Sequence, residues 1–186
     1  MKTDARVRYT KQAIRTAFLT LLARKPVAQI TVTQLCEMAQ INRATFYKHY
    51  QDPFDLLQQM EDESLLHLRD NVRQFATGPD VRRFLIRILE DLRSRHEEYT
   101  IMATPNADPD FPRRVSECLY REVAPKVGSS LPGLSDSQKR MVYRFLESGG
   151  SGLLNDWFEQ GMKESPEEVS DMILRLSHAA LAPFRR

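Results

Sequence analysis

Residues 30–57, ITVTQLCEMAQINRATFYKHYQDPFDLL, contain the patterns of two short helices separated by a three-residue turn, AQI. Thr31 is a good N-cap for the first helix, which should run through Met38. Asn42 is a good N-cap for the second helix, which follows the turn directly. On the first helix we expect three side chains to face inward: Val32, Leu35 and Met38. With a stabilising helix before it, this arrangement predicts a helix-turn-helix, whose second helix enters the DNA major groove.

The second of these short helices carries two chemically different faces. Phe46 and Tyr50 are four positions apart and share a face, which we expect to point toward Leu35, Met38 and Ile41. The opposite face consists of Arg43, Ala44, Tyr47 and Lys48. A core helix would exclude the cations, and a merely solvated helix has no need of an exposed tyrosine. The pattern therefore predicts one face for the core and one for DNA.

Helical spacing also flanks this segment. A first helix should begin after Thr10, a good N-cap, and run to about Arg24 before Pro26 stops it. Its inward residues are Ile14, Ala17, Phe18, Leu21 and Leu22. Asp52 as N-cap and Pro53 at the first helical position start a long helix that GPD, residues 78–80, should end. The apolar stripe of this long helix comprises Phe54, Leu57, Met60, Leu65, Leu68 and Val72.

The rest of the chain is helical in pattern as well. An amphipathic stripe, Val81, Phe84, Leu85, Ile88, Leu89 and Leu92, predicts a helix that closes near residue 96. The three prolines of TPNADPDFPRR, residues 104–114, predict a short helix at about 99–103, a loop, and a helix at about 111–123. PKVGSSLPGLSDSQ, from residue 125, is predicted as a second loop.

Two further helices are predicted near the C-terminus. A long helix should begin at Ser135 and carry Met141, Val142, Phe145, Leu146, Gly149, Leu153 and Trp157. SPEEV, residues 165–169, is a capping box that opens a last helix with Val169, Met172, Ile173 and Leu176. Because no segment alternates with period two, we expect an all-α fold.

Charge is distributed unevenly along the chain. The formal net charge is +2, but residues 1–50 contain nine Lys and Arg against Asp4 and Glu37, a balance of +7, which leaves −5 for the rest. A basic N-terminal region on an acidic body indicates a polyanion as partner. No stretch approaches the ~18 to 20 apolar residues needed to span a bilayer, and the N-terminus lacks an apolar signal core, so we expect a cytoplasmic protein without a membrane partner.

Motifs for catalysis and metal binding are missing from the sequence. There is no phosphate-binding glycine loop, no H-E-x-x-H and no nucleophile elbow, and the four histidines, at positions 49, 67, 96 and 178, are scattered. Cys36 and Cys118 have neither zinc-site nor disulfide-framework spacing, so we predict buried free thiols; a redox sensor is the alternative. We therefore predict no enzyme activity, no cofactor and no metal.

At this point residues 30–57 resemble the DNA-binding signature of the TetR-type (tetracycline-repressor-like) regulators, T-V-x-x-I-A-x-x-A-G-V-S-x-x-T-x-Y-x-H-F-x-x-K-x-x-L-L. The resemblance covers about residues 10–60. It implies an N-terminal three-helix DNA-binding domain, 1–52, and a helical effector-binding and dimerisation domain, 53–186. It also implies a set of residues at or near DNA: Thr31, Thr33, Asn42, Arg43, Ala44, Thr45, Tyr47, Lys48 and His49. Two departures stand out, because Gln40 replaces the usual turn glycine and Pro53 the usual lysine.

Residues 145–169, FLESGGSGLLNDWFEQGMKESPEEV, are similar to the C-terminal region of the TetR subgroup that includes the dihydroxyacetone-kinase regulators. This similarity implies that the last two helices pair with their copies in a second subunit, through Phe145, Gly149, Gly152, Leu153, Met172 and Leu176. A tight contact of the small residues 148–152 within one monomer is the alternative. The family also implies an apolar effector pocket, for which the candidates are Tyr99, Met102, Phe111, Tyr120, Met141, Phe145 and Trp157; plain core is the alternative.

The sequence and its resemblance thus predict a transcriptional regulator that binds a palindromic double-stranded DNA operator as a homodimer. It would be a repressor, released by a small apolar effector, although activation stays open. The competing hypothesis is a co-regulator of the same fold that acts through protein partners.

Overall fold

The computed structural model describes residues 2–77 and 80–184, with side chains for 5–73 and 80–184. Its described residues form helices, turns and loops, with no strand among them, so the all-α prediction is confirmed. The longer elements are α1 (Lys2–Leu22), α2 (Val32–Ala39), α3 (Arg43–Tyr47), α4 (Pro53–Thr77), α5 (Val81–Ser94), α6 (His96–Met102), α7 (Phe111–Ser129), α8 (Asp136–Glu159) and α9 (Pro166–Leu181). Short 3-10 turns occupy Val27–Gln29 and Ala182–Phe184. The predicted break at Gly78 and Pro79 lies outside the described residues.

The chain divides into two compact units. The head unit contains the residues through Leu66 together with Glu97–Arg113, and the body unit contains His67–His96 and the residues from Arg114 onward. The head unit therefore includes a segment that follows the helix-turn-helix by some distance in sequence. The predicted functional boundary at residues 52 and 53 stays a prediction.

In the head unit, α1 packs on α2 and α2 packs on α3. Four of the five predicted inward residues of α1 are buried: Ile14, Ala17, Phe18 and Leu22. The predicted start of α1 after Thr10 is wrong, because the helix is already formed at Lys2. Nothing in residues 2–9 breaks a helix, and a residue that can cap a helix marks its start only where the preceding backbone is not helical.

Two predicted core positions of the head unit are wrong. Met38 is 44% exposed and lines a shallow groove with Tyr9 and Gln40, while Phe54 is 54% exposed. On α4 the buried stripe instead follows positions 53, 56, 57, 60, 61 and 64. Leu57, Met60 and Val72 are buried as predicted. Glu61 and Ser64 also belong to the buried stripe, so hydrophobicity alone misplaced one of its edges.

In the body unit, α9 packs on both α5 and α8. Its core contains Leu89, Trp157 and Val169, against which Leu154, Phe158, Met162 and Ile173 pack. Arg82 on α5 donates two hydrogen bonds to the Asp171 carboxylate on α9, from Nε at 2.6 Å and Nη2 at 3.0 Å. This bidentate pair lowers the pKa of Asp171 and joins the two helices.

Helix ends in the body unit follow the predicted caps. Ser165 with Glu168 forms the predicted capping box at the start of α9, and Ser135 with Gln138 forms a second capping box at the start of α8. The predicted end of α7 at residue 123 is wrong, because the helix continues through Pro125 to Ser129. A proline removes one backbone hydrogen bond, and the remaining bonds on either side can hold the helix together across it.

Neither cysteine is bonded to another. Cys36 is buried as predicted, but Cys118 is only half-buried. Burial raises the pKa of both thiols, which disfavours the reactive thiolate. The described helices include no segment that could span a lipid bilayer.

Candidate nucleic-acid interface

The start of α3 is set by Asn42, as predicted. Its side-chain oxygen accepts a hydrogen bond from the Thr45 N–H at 2.7 Å and another from the Thr45 hydroxyl at 2.9 Å. The Asn42 backbone is extended, with φ −86° and ψ 160°, so the helix begins at the next residue. The cap thus determines which side chains of this five-residue helix point outward.

The turn between α2 and α3 is left-handed at Gln40, with φ 54° and ψ 44°. The Ile41 N–H closes the turn by bonding the Cys36 carbonyl at 3.0 Å. A glycine would adopt this conformation without strain, whereas a side chain there costs about 1 to 2 kcal/mol. The departure from the TetR pattern therefore leaves the turn intact at a cost in stability.

The start of α2 is a capping box around Thr31, which confirms that predicted N-cap. The Gln34 N–H donates to the Thr31 hydroxyl at 3.3 Å, and the Thr31 N–H donates to Gln34 Oε1 at 3.1 Å. Lys25 Nζ also donates to Gln34 Oε1, at 2.7 Å. A hydroxyl that accepts one bond keeps its own proton for donation, so the exposed Thr31 hydroxyl can cap α2 and also donate a hydrogen bond.

The two faces of the α3 segment are divided as predicted. Phe46 is fully buried and Tyr50 is 2% exposed, whereas Tyr47 is 57% exposed. Phe46 contacts both tyrosines, edge-on to Tyr47 at 5.7 Å and tilted to Tyr50 at 5.8 Å between ring centroids. Tyr50 lies beyond the last helical residue and reaches the core because its N–H bonds the Phe46 carbonyl at 3.0 Å.

Arg43 is joined to a second predicted contact residue. Its Nη2 donates to Thr33 Oγ1 at 2.5 Å, across the gap between α3 and α2. One guanidinium nitrogen is thereby engaged, and the other N–H donors stay available to a ligand. This hydrogen bond restrains the position of the Arg43 side chain.

The predicted DNA-contacting residues all lie on the helix-turn-helix surface of the head unit. Most are exposed: Thr31, Thr33, Asn42, Arg43, Ala44, Tyr47 and Lys48. Thr45 and His49 are half-buried. The Thr45 hydroxyl donates to the side chain of the Asn42 cap. The ring centroid of His49 lies 6.3 Å from that of Tyr50.

Sequence reasoning missed one group of candidates, on the first turns of α1. Arg6, Arg8 and Tyr9 are exposed, and Tyr9 shows 79% of its surface. Because α1 begins at Lys2, these side chains are carried by a helix of the head unit. Arg6 and Arg8 contribute to the basic charge of residues 1–50. The predicted helix start after Thr10 nevertheless left both residues outside the helix.

In the body unit, α8 and α9 expose apolar side chains. Phe145 is 69% exposed, Met141 70%, Leu176 50% and Met172 47%. A Cβ atom added at Gly149, Gly150 or Gly152 would have no atom within 4 Å, so these glycines make no tight helix contact within the described chain. Of the predicted interface residues, only Leu153 is half-buried. We call Met141, Phe145, Met172 and Leu176 the apolar α8–α9 face.

The predicted effector-pocket residues are divided between the units. Tyr99, Met102 and Phe111 belong to the head unit, and Tyr120, Met141, Phe145 and Trp157 to the body unit. Met102, Phe111 and Trp157 are buried.

Two of the body-unit residues have defined partners. The Trp157 indole N–H donates to the Glu164 carbonyl at 3.0 Å. Tyr120 packs edge-on against Tyr143 at 5.0 Å, and burial raises the pKa of Tyr143 to about 12. Since Met141 and Phe145 lie at the surface, the pocket as a whole stays a prediction.

Comparisons with known proteins agree with this architecture. Residues 80–179 match the TetR_C_8 family, described as a transcriptional regulator C-terminal region. An uncharacterised HTH-type transcriptional regulator of Bacillus subtilis, YxbF, is 40% identical over 78 residues, which are 41% of this chain. The match spans about a fifth of that relative's length, 20%.

Solved structures extend the likeness to almost the whole chain. A TetR transcriptional regulator from Streptococcus agalactiae is 26% identical with a TM-score of 0.64, covering 95% of this chain and 98% of that one. The dihydroxyacetone kinase operon activator DhaS is 21% identical with the same TM-score of 0.64 and the same coverage, 95% and 98%, and therefore shares the fold.

Proposed function

Because the chain belongs to the TetR family of transcriptional regulators, we propose that it binds a palindromic DNA operator as a homodimer. Proteins of this family are regulators, not enzymes, and they bind operators as dimers. The observation that carries the proposal is the exposed face of α3, where Arg43, Tyr47 and Lys48 stand outside a buried Phe46. The same residues argue against a co-regulator without DNA, which has no use for a cationic, tyrosine-bearing helix face.

A dimer solves the problem of specificity for so short a helix. One five-residue helix reads few base pairs, and a two-fold pair doubles the contacts at about one helical turn, ~34 Å, between half-site centres. The operator should accordingly be a pseudo-palindrome with half-sites in successive major grooves.

The test is a gel shift with the full chain and the DNA upstream of its own gene. Wild type should shift this fragment in the presence of excess unrelated DNA, and Tyr47→Ala combined with Lys48→Ala should not. Failure of the wild type on that fragment, and on a library of random duplexes, would reject DNA binding and favour the co-regulator.

We expect Arg43 to contact a base edge. Arg43→Ala should then cost about 1 to 3 kcal/mol of binding free energy on the preferred operator and little on other sequences. Arg24→Ala, which removes an exposed cation of the head unit outside α3, should weaken binding to all sequences alike. Fluorescence anisotropy on preferred and scrambled operators separates the two; an equal loss for Arg43→Ala on both would make Arg43 a phosphate contact.

The apolar α8–α9 face supports the dimer half of the proposal, since four large apolar side chains stand at the surface there. Phe145→Asp should raise the dimer dissociation constant by about 10²- to 10⁴-fold, because each dimer loses two buried aromatic rings. Leu66→Asp is the matched control, since Leu66 is also exposed, at 47%, but lies in the head unit. Sedimentation should report a dimer for wild type and this control; a monomeric wild type at micromolar concentration that still binds one operator tightly would contradict the proposal.

We also propose a subgroup, a role for each domain and a direction of regulation for this chain. We place the chain in the subgroup of the dihydroxyacetone-kinase regulators on the sequence of residues 145–169, with DNA binding in 1–52 and effector binding and dimerisation in 53–186. We propose repression as its effect, because an operator-bound dimer blocks a promoter that it overlaps, and release by a small apolar effector. DhaS is titled an activator, so a promoter–reporter assay with and without the regulator should decide the direction.

A further inference from the structure

Asn106 bonds the end of α1 and the start of the 3-10 turn that follows it, two points of the head unit that lie just before α2. Its side-chain Nδ2 donates to the Leu22 carbonyl at 3.0 Å, and its backbone carbonyl accepts from the Val27 N–H at 2.9 Å. Leu22 is the last residue of α1 and Val27 the first residue of the following 3-10 turn. Asn106 thus spans the corner between them, residues 22–27, from 84 positions away along the chain.

Both partners are backbone groups that their own elements leave unsatisfied. The last carbonyls of a helix and the first N–H groups of the next helical turn have no partner within those elements. Asn106 supplies a donor to one and an acceptor to the other. Aspartate at this position would keep the size and the backbone carbonyl but would turn a carboxylate oxygen toward the Leu22 carbonyl.

The loop that carries Asn106 is itself held in place. Met102 is fully buried, and Ala107 and Phe111 are 5% and 4% exposed. The Thr104 hydroxyl donates to the Ile101 carbonyl at 2.7 Å, and the Ala107 N–H to the Thr104 carbonyl at 3.1 Å. The loop is therefore a packed part of the head unit and can act as a fixed support.

The corner that Asn106 spans is linked to the DNA-reading elements. Lys25, inside the corner, donates to Gln34 Oε1 at 2.7 Å, and Gln34 forms the capping box with Thr31 at the start of α2. α2 in turn packs on α3, and Thr33 of α2 binds Arg43 of α3. A displacement of the corner would therefore change the position of α2 and of the reading face it supports.

We propose that Asn106 is a positioning residue for DNA binding: by bridging Leu22 and Val27, it holds the α1 corner, and through it α2 and α3, in the reading geometry. This inference rests on the proposed DNA-binding function. It makes a residue within the family's C-terminal region, 80–179, a determinant of operator affinity.

The test compares Asn106→Ala and Asn106→Asp with wild type in the full chain, at a temperature where far-UV circular dichroism shows all proteins folded. Both variants should bind the operator about three- to tenfold more weakly, the loss expected for one hydrogen bond. Asp110→Ala, which removes an exposed carboxylate of the same loop, should bind as wild type does.

Hydrogen exchange supplies a readout that does not depend on DNA. The Val27 amide should exchange faster in both Asn106 variants, whereas the Met162 amide of the body unit, which bonds the Trp157 carbonyl at 2.8 Å, should not change. Faster exchange at Val27 with wild-type affinity would overturn the proposal by reducing Asn106 to a stabilising residue. Weaker binding with unchanged exchange at Val27 would also overturn it, because the corner would not be involved. If wild type binds no operator, the proposed function fails, and the exchange result still decides whether Asn106 holds the corner.

Discussion

Raising the salt concentration from about 50 to 200 mM should weaken operator binding by about 10³- to 10⁵-fold. The reason is the balance of +7 in residues 1–50, which a homodimer presents twice. If the two copies neutralise on the order of 6 to 10 phosphates, the released counterions make the logarithm of the affinity fall steeply with the logarithm of the salt concentration. Anisotropy titrations at four or five salt concentrations give the slope.

Matched charge variants test which part of the chain produces the slope. Lys48→Gln should reduce its magnitude by about two, because the dimer loses one phosphate contact in each subunit and each contact contributes about 0.9. Lys163→Gln removes an exposed cation between α8 and α9 and should leave the slope as it is. A flat salt response of the wild type, or equal effects of the two variants, would show that the basic head does not form the DNA interface.

Tyr50→Ala should lower the free energy of unfolding of the protein by about 3 to 5 kcal/mol, the usual cost of truncating a buried aromatic residue. Tyr50 is 2% exposed, its ring contacts Phe46, and the Lys11 ammonium lies over it at 5.9 Å. Burial raises the pKa of its hydroxyl, an effect that the neighbouring Arg15 partly offsets. Urea unfolding followed by circular dichroism gives the loss.

Tyr47→Ala provides the opposite result on the same segment. Because Tyr47 is 57% exposed, its truncation should leave the melting temperature nearly unchanged while operator binding weakens. Tyr50→Phe keeps the buried ring and should retain most of the stability that Tyr50→Ala loses. Similar melting losses for Tyr47→Ala and Tyr50→Ala would refute the assignment of the two faces.

The features that could be predicted from sequence depend on residues a few positions apart. Thr31, Asn42 and Ser165 can be recognised as N-caps because a cap accepts a hydrogen bond from an amide three residues ahead. The division between Phe46 and Tyr47 followed from helical spacing. Each of these features depends only on residues that are close together in the sequence, so it can be predicted from the sequence alone.

Positions of core residues were less predictable, because periodicity defines a stripe on a helix but not its edges. Met38 and Phe54 were placed inside and are exposed, while Leu56 is fully buried. Which side of a stripe is covered depends on the neighbouring helix. Similarly, whether α7 ends before Pro125 or continues through it depends on the packing around that turn, which local propensity does not report.

By itself, then, the sequence determined the all-α class, the helix-turn-helix with its caps, the outward face of α3 and the basic charge of the N-terminal region. Only the tertiary structure decided that Glu97–Arg113 belongs to the head unit, and that Asn106 bonds the corner at Leu22 and Val27. It also decided that Phe145 and its neighbours on α8 and α9 lie exposed. The physical reason is distance along the chain: a cap or a helical face is a contact within one or two turns, whereas a hydrogen bond across 84 residues, or an apolar face without a covering helix, exists only after the elements have packed.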